Sequence, residues 1–353
     1  MNTNEALQLT TQSATIATPN SPEAEMTHAE HATSNTTPTP ITRDDLTDMG
    51  KQAALRVATE ALHRSLKTLF ASKHIVELRA LDVTTPEKRM LHIDSGYYDG
   101  DHRDQLIERA LWLQRYAQAK GVYVTLQEIR PALLARRANR SAPAKETTAD
   151  HDVARYRWLP VDLDMHPSVR PSGISSSPEQ WTQIHHTAAW LRKALLEMGW
   201  PQPVYADSGN GAHLLWRIDL APSEASLLSR VLGAIHARTK QMDQDVEVDL
   251  KNYNPARIWK LYGTLACKGD HMPFAPHRLS RILEAPEQPI VLTAEQMEDI
   301  CARWGQVQTA VPKPRKTSTH HNSPLATPIA PIQNQQLSSA RTPGAWTVEG
   351  WAP

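Results

Sequence analysis

Apolar residues recur at helical spacing over Asp45–Phe70, where Leu55, Val57, Ala58, Ala61, Leu62 and Leu66 fall together and predict a helix. His74–Val83 (HIVELRALDV) has the short, β-rich composition of a strand. Asp101 opens a second periodic stretch to Lys120, with Leu106, Ala110, Leu111, Leu113 and Tyr116 on its apolar side. Gly121 ends that helix, and Val122–Ile129 reads as the next strand. A polar, basic loop with Arg136, Arg137 and Arg140 follows over Arg136–Asp152. The second half opens with the strand Tyr156–Asp164 (YRWLPVDLD) and continues with a helix over Pro178–Gly199, whose Trp181, Ile184, Ala188, Leu191 and Leu195 share one side. Val204–Ala206 and His213–Ile218 flank a glycine turn as a hairpin does. A helix over Ser223–Lys240 and a short strand at Val246–Leu250 complete the pattern.

This periodicity is confined to the middle of the chain. Residues 1–44 and 311–353 are dominated by Thr, Ser, Pro, Asn and Gln and cannot bury enough surface to offset their ordering entropy, so both are expected to be disordered tails. The second carries Lys313, Arg315, Lys316 and Arg341 and ends in a Trp346–Trp351 segment, either a short docking peptide or a solvated tail with stray aromatics. The folded region is then residues 45–310, divided into an αβ module over 45–150 and a second module over 151–310. At 40% hydrophobic and 22% charged residues the composition is that of an ordinary globular protein. A formal net charge of +0 gives no global field for a polyanion, so any nucleic-acid partner has to be held by local basic patches. Cys267 and Cys301 are the only cysteines and lack paired spacing, which excludes a disulfide framework or a cysteine-rich zinc module and points to a reducing cytoplasm. No apolar run has the length of a membrane span, and no secretory signal is recognisable at the N-terminus.

Four constellations carry candidate chemistry. Asp162 and Asp164 end an apolar strand, and the strand period of two puts both carboxylates on one face. Like charges that close are costly unless a cation neutralises them, and carboxylate oxygens suit Mg2+ or Mn2+; exposed strand-end acids are the plainer alternative. Asp207-Ser208-Gly209-Asn210-Gly211-Ala212-His213 combines flexible glycines, a hydroxyl and an imidazole, either an anion cradle or a tight hairpin turn. In Val246-Glu247-Val248-Asp249, Asp249 is a candidate third metal ligand, with a solvated strand face as the alternative. Finally, Asn254 through Arg257, Lys260, Gly263-Thr264, Lys268, His277 and Arg278 alternates basic side chains with small turn residues, as triphosphate or backbone-phosphate contacts require and as a solvated surface also allows.

In order and spacing these elements resemble the archaeo-eukaryotic primase superfamily, and more narrowly the primase-polymerases of phages, plasmids and other mobile elements. The resemblance runs from Leu55 to Ile282 and includes ELRAL, GVYVTL, RWLPVDLD and RPSGISS. It implies an α+β fold, an αβ module packed on an RRM-like antiparallel sheet with the active site between them. It further implies that Asp162, Asp164 and Asp249 hold two Mg2+ or Mn2+ ions, with no zinc. Ser208, Gly209, Gly211 and His213 would contact the phosphates of an incoming NTP or dNTP, and NPARIWKLYGTLACKG would place Asn254, Arg257, Lys260, Thr264 and Lys268 near nucleotide or template. A single-stranded DNA template is expected over Arg136, Arg137 and Arg140, with His277 and Arg278 as further nucleic-acid contacts. The expected activity is template-directed primer synthesis in the replication of a mobile element or in repair, in the cytoplasm at the nucleoid. No GxxxxGK[ST] phosphate loop occurs, so a separate helicase or initiator protein is expected to supply unwinding. Two rivals remain at this stage: a metal-dependent nuclease, which a triphosphate cradle disfavours, and a non-catalytic origin- or single-strand-binding replication protein, which intact paired acids disfavour. A relaxase is disfavoured because His185-His186 falls in an expected helix.

Overall fold

The computed structural model describes residues 37–84 and 90–305. Most of the two expected tails, including Lys313, Arg315, Lys316, Arg341 and Trp346–Trp351, lies outside the described residues. The chain engages the fold before Asp45, because the backbone of Ile41–Arg43 bonds to that of His277–Leu279. Thr42 and Asp45 form a capping box that starts α1 (Arg43–Asp48). The single helix expected over Asp45–Phe70 is therefore two, interrupted at Met49–Gly50, with α2 at Lys51–Leu69. The buried stripe of α2 is Ala54, Ala58, Leu62, Ser65, Leu66 and Leu69, and Leu55 faces solvent. Next come β1 (Val76–Val83), β2 (His92–Tyr98), α3 (Arg103–Arg115), β3 (Gly121–Thr125), β4 (Glu128–Ile129) and β5 (Arg140–Pro143).

Three of these elements depart from the sequence pattern. The polar HIDSGYY segment forms β2, since its buried Asp94 is paired with Arg109 and its buried Ser95 donates to Glu77. The expected strand Val122–Ile129 is split between two sheets. The buried Gln127 marks the break, donating to the Trp158 carbonyl while accepting from the amides of Arg157 and Trp158. The basic stretch after Arg136 is not all loop, because β5 pairs with β2.

The second half contributes β6 (Val153–Met165), α4 (Pro178–Glu197), β7 (Val204–Asp207), β8 (Ala212–Leu220), α5 (Ala225–Met242), β9 (Val246–Val248), β10 (Ile258–Lys260), β11 (Leu265–Ala266), β12 (Arg278–Leu279), β13 (Arg281–Glu284) and α6 (Ala294–Trp304). Ser177 and Gln180 form a capping box with Pro178 in the first turn, which fixes the start of α4. The fold is α+β, and its described strands pair antiparallel. One sheet runs β10-β3-β1-β2-β5; a second runs β13-β7-β8-β6-β4, with β9 also on β6, and β11 and β12 form a two-stranded sheet. β10 and β4 both tie the halves together, since β10 from late in the chain pairs with β3 of the first sheet and β4 from the first half pairs with β6 of the second.

Side-chain alternation along β6 positions the site. Leu159, Val161 and Leu163 point to one face and pack with Ile184, Ala188 and Leu191 of α4 and Leu228, Val231 and Ile235 of α5. Trp158 belongs to the opposite core, with Leu66 and Leu69 of α2, Leu78 of β1 and Val124 of β3. Asp162 and Asp164 share the parity of Trp158, so they look toward the first sheet, beyond the packed contact, where the two halves leave a cleft.

Candidate active site

The three sequence-predicted acids occupy adjacent strands on one face. Asp162 lies opposite His213 of β8. On its other side the Asp249 amide donates to the Asp162 carbonyl at 3.1 Å, so the two acids sit across a strand pair from each other. Asp164 follows two residues after Asp162, opposite Glu247. Their side chains are 31%, 28% and 30% exposed for Asp162, Asp164 and Asp249, so all three remain open to a ligand.

Each acid is matched by a base. Asp164 pairs with Arg170 at 2.5 Å and Lys268 at 3.5 Å, and Asp249 with Arg257 at 2.5 Å. The Asp162 carboxylate lies 3.4 Å from His213 Nε2. Burial pushes the Asp162 carboxyl upward, but the His213 charge and hydrogen bond, with Lys268 and Arg257 beyond, outweigh it and leave the group below the ordinary carboxylate value. Hard oxygen donors carrying like charge fit a divalent ion such as Mg2+ or Mn2+. As the side chains are placed, no group of three His, Cys, Asp or Glu among the described residues stands close enough to hold one, and Arg170, Arg257 and His213 fill the neutralising role.

His213 is held by a buried chain. Its ring stacks on Trp259 with centroids 4.1 Å apart, and its Nδ1 lies 2.9 Å from the Tyr262 hydroxyl. Trp259 Nε1 donates to that same hydroxyl at 2.8 Å, and burial raises the Tyr262 pKa well above the ordinary value. Tyr262 therefore keeps its proton, and its hydroxyl at Nδ1 holds the His213 ring so that Nε2 faces Asp162 and the cleft.

The Ser208–Gly211 turn is not the open amide cradle expected of it. The Ser208 amide donates to the Gly211 carbonyl at 2.9 Å and the Gly209 amide to the Asp207 carboxylate at 2.6 Å. The amides of Asn210 and Gly211 both donate to Ser208 Oγ, at 3.4 and 2.9 Å. Gly209 and Gly211 thus serve geometry rather than anion contact. Gly209 has φ +92°, and a Cβ on Gly211 would stand 2.2 Å from the Leu163 carbonyl oxygen. Fully buried Asp207 also accepts from Trp181 Nε1 at 3.1 Å and anchors the turn to α4.

Cations also line the cleft. Lys260, Lys268, Arg257 and Lys120 line it with Tyr123, Asn252, Asn210 and Cys267 around about 300 Å³ of space, facing Asp162, Asp164, Ser208 and His213. Lys260 is buried, its Nζ donating to the Leu265 carbonyl at 2.8 Å, and burial brings its pKa down to about 8.

Five predicted contacts lie elsewhere, and a sixth is internal. Thr264 is fully buried and bonds the Leu261 carbonyl at 2.7 Å, so it shapes the chain rather than touching a nucleotide. His277 and Arg278 are buried too: His277 Nε2 is 3.0 Å from the Gly269 carbonyl, and Arg278 reaches the Ser176 carbonyl at 2.9 Å. They fasten the loops beside the cleft and offer no surface to a strand. Arg136 is paired with Asp152 at 3.1 Å, and Arg137 donates to the Glu146 carbonyl at 3.2 Å. Arg140 sits on β5, at the opposite edge of the first sheet from β10, four strand spacings or about 19 Å away. Lys120, Tyr123 and Asn252 are cleft residues that the motifs missed. Only the pairing of β10 with β3 brings the first two alongside Lys260, and Asn252 reaches the site by accepting from Arg257 Nε at 3.2 Å.

No family model and no curated protein matches the chain. Among solved structures it is similar to primase RepB′, with 12% identity, a TM-score of 0.38, and coverage of 71% of this chain and 64% of that one. It is also similar to the catalytic domain of primase RepB′ in complex with initiator DNA, with 10% identity, a TM-score of 0.36, and coverage of 72% of this chain and 98% of that one. At this distance the chemistry of the cleft has to be read from its own residues.

Proposed function

We propose that the chain is a nucleotidyltransferase of the primase-polymerase type that extends or starts a nucleic-acid strand on a single-stranded DNA template. The observation that carries this reading is one cleft lined by Asp162, Asp164, four cations and an oriented imidazole, with Asp249 bonded to the Asp162 backbone from the neighbouring chain segment. That division suits a triphosphate bound with divalent ions, where acids hold the metals and bases hold the phosphates.

In this mechanism Asp162, Asp164 and Asp249 would hold two Mg2+ or Mn2+ ions, which would supply Lewis-acid activation of the attacking 3′-hydroxyl and neutralise charge on the leaving pyrophosphate. The chain's own part is to exchange ion pairs. Arg257 and Lys268 leave Asp249 and Asp164 for phosphate oxygens as the acids take up their ligands. His213 donates its Nε2 proton to a phosphate oxygen, its orientation fixed by Tyr262 and Trp259. Lys260 adds positive charge from a dry position where an interaction with phosphate is strong. The new bond joins the 3′-oxygen to the α-phosphorus, the bond from that phosphorus to the bridging oxygen breaks, and the hydroxyl proton leaves to solvent. Ser208 shapes the turn beside this site. A separate helicase or initiator protein supplies the opened template.

Extension of a 5′-labelled primer on a DNA template tests the reading, with wild type beside Asp162→Asn and Asp249→Asn. Extension by wild type, lost in both variants with folding intact, is the expected result. The ion-paired state of all three acids favours one second reading, a single-strand-binding protein without catalysis. Undiminished DNA binding together with no incorporation by wild type under Mg2+ or Mn2+ would select it.

A further inference from the structure

The chain buries most of its large aromatic side chains, among them Trp158, Trp181, Trp200, Trp216, Tyr97, Tyr98, Tyr156 and Tyr262. Trp112 in the last turn of α3 and Tyr116 at its end are different, 37% and 56% exposed. Their i,i+4 spacing places them on one face, with ring centroids 6.5 Å apart. Two guanidinium groups flank them, Arg109 at 4.3 Å from the Trp112 ring and Arg115 at 5.3 Å from the Tyr116 ring. The periodicity of the sequence puts Tyr116 on the buried side of this helix, yet the ring contributes to no core.

The charges around this ridge are uneven. Arg109 is matched by the buried Asp94 at 2.9 Å, so it offers a flat face rather than free charge. Among the described residues no acid lies within ion-pair distance of Arg115, whereas exposed Glu108, one turn before Trp112, bounds the ridge on its N-terminal side. Lys120 has only a loose contact with Asp82, at 3.7 Å between two exposed side chains.

The helix that bears the ridge borders the cleft through its other, buried side. Gln114, in the same turn, bonds both the amide and the carbonyl of Leu265, at 3.0 and 3.1 Å. Ala266 and Cys267, which follow, line the cleft, as does Lys120. Lys120 follows Tyr116 by four positions, which limits the distance between their Cα atoms to about 14 Å, or about four nucleotides at stacked spacing.

We propose that Trp112 and Tyr116, with Arg115 beside them, form a stacking platform for the bases of a single-stranded nucleic acid running past Lys120 into the cleft. Exposed rings want flat π-faces, and the neighbouring cations want a polyanion; a single strand supplies both, while a duplex hides its base faces. The proposal rests on reading the cleft as a template-directed site, but its residues are separate from those of the chemistry.

Anisotropy of a fluorescein-labelled oligothymidylate of about 20 nucleotides, titrated with the full chain, tests it. The Trp112→Leu/Tyr116→Leu variant is expected to bind about tenfold more weakly or worse, and Trp112→Phe/Tyr116→Phe, which keeps the rings, to retain most of the affinity. A duplex of the same length should compete poorly. Unchanged affinity in the leucine pair overturns the proposal, and so does an equal loss in the phenylalanine pair. Primer extension separates this outcome from failure of the cleft reading. The leucine pair should raise the KM for template and leave kcat alone, whereas Asp162→Asn should bind the oligonucleotide and incorporate nothing. If wild type incorporates nothing but the leucine pair still loses the oligonucleotide, the platform stands and the cleft reading falls.

Discussion

Among single residues, Lys260 makes the sharpest prediction. Its pKa near 8 lies below the 10.5 of an ordinary lysine because burial disfavours the charged form. Affinity for a nucleoside triphosphate should fall as pH rises through about 8 and Lys260 loses its proton, and Lys260→Met should remove that pH-dependent component; an identical profile in the variant would assign it to another group. The effect on stability has a defined sign. The unfolded chain binds this proton more tightly than the folded one, so the contribution of Lys260 to stability rises between about pH 8 and 10.5. His213 was readable in the sequence as a strand-borne imidazole, but its orientation was not, because Tyr262 lies 49 residues away and acts through a buried contact. Tyr262→Phe should lower incorporation by about 10-fold or more, through loss of the orienting bond rather than of folding, and steady-state kinetics beside a melt will separate the two.

Among elements, the hairpin β7–β8 and its turn matter most. The spacing of SGNGAH correctly indicated a hairpin, and its glycines suggested a phosphate cradle. What the spacing does not disclose is that Asp207 and Ser208 already occupy the turn amides. Asp207→Ala should strip buried partners from Gly209 and Trp181 and cost about 1–3 kcal/mol, seen as a lower melting temperature. Gly211→Ala should be at least as damaging, because its Cβ would meet the β6 backbone and push apart the strands that carry Asp162 and His213, an overpacking cost of about 1–3 kcal/mol. The strands β6 and β8 and the helices α4 and α5 were legible from their apolar period. The polar strand β2 was not, since its stability comes from ion pairs and hydrogen bonds to distant residues such as Arg109 and Glu77. Arg278 shows the same limit in reverse: a basic residue that reads as a phosphate contact is spent on carbonyls inside the fold.

For the whole molecule, the cleft exists because β10 crosses back to the first sheet and carries Lys260 to face the acids of β6. No helix among the described residues is long and apolar enough to cross a membrane. The overall balance of charge is neutral, yet the cleft gathers four cations around Asp162 and Asp164, a local arrangement that a net charge of +0 conceals. The order of the motifs along the chain indicated which acids belong together, whereas Lys120, Tyr123 and the Trp112–Tyr116 ridge become visible only once the sheets are assembled. The most direct test of the central claim is synthesis without a primer on single-stranded DNA, with all nucleotides, a 5′-γ-labelled initiator and either Mg2+ or Mn2+, wild type beside Asp162→Ala/Asp164→Ala. Labelled oligomers from wild type alone, or extension of a supplied primer by wild type alone, is the result the account predicts. Silence from wild type in both formats and with both metals, or equal product from the variant, would contradict it.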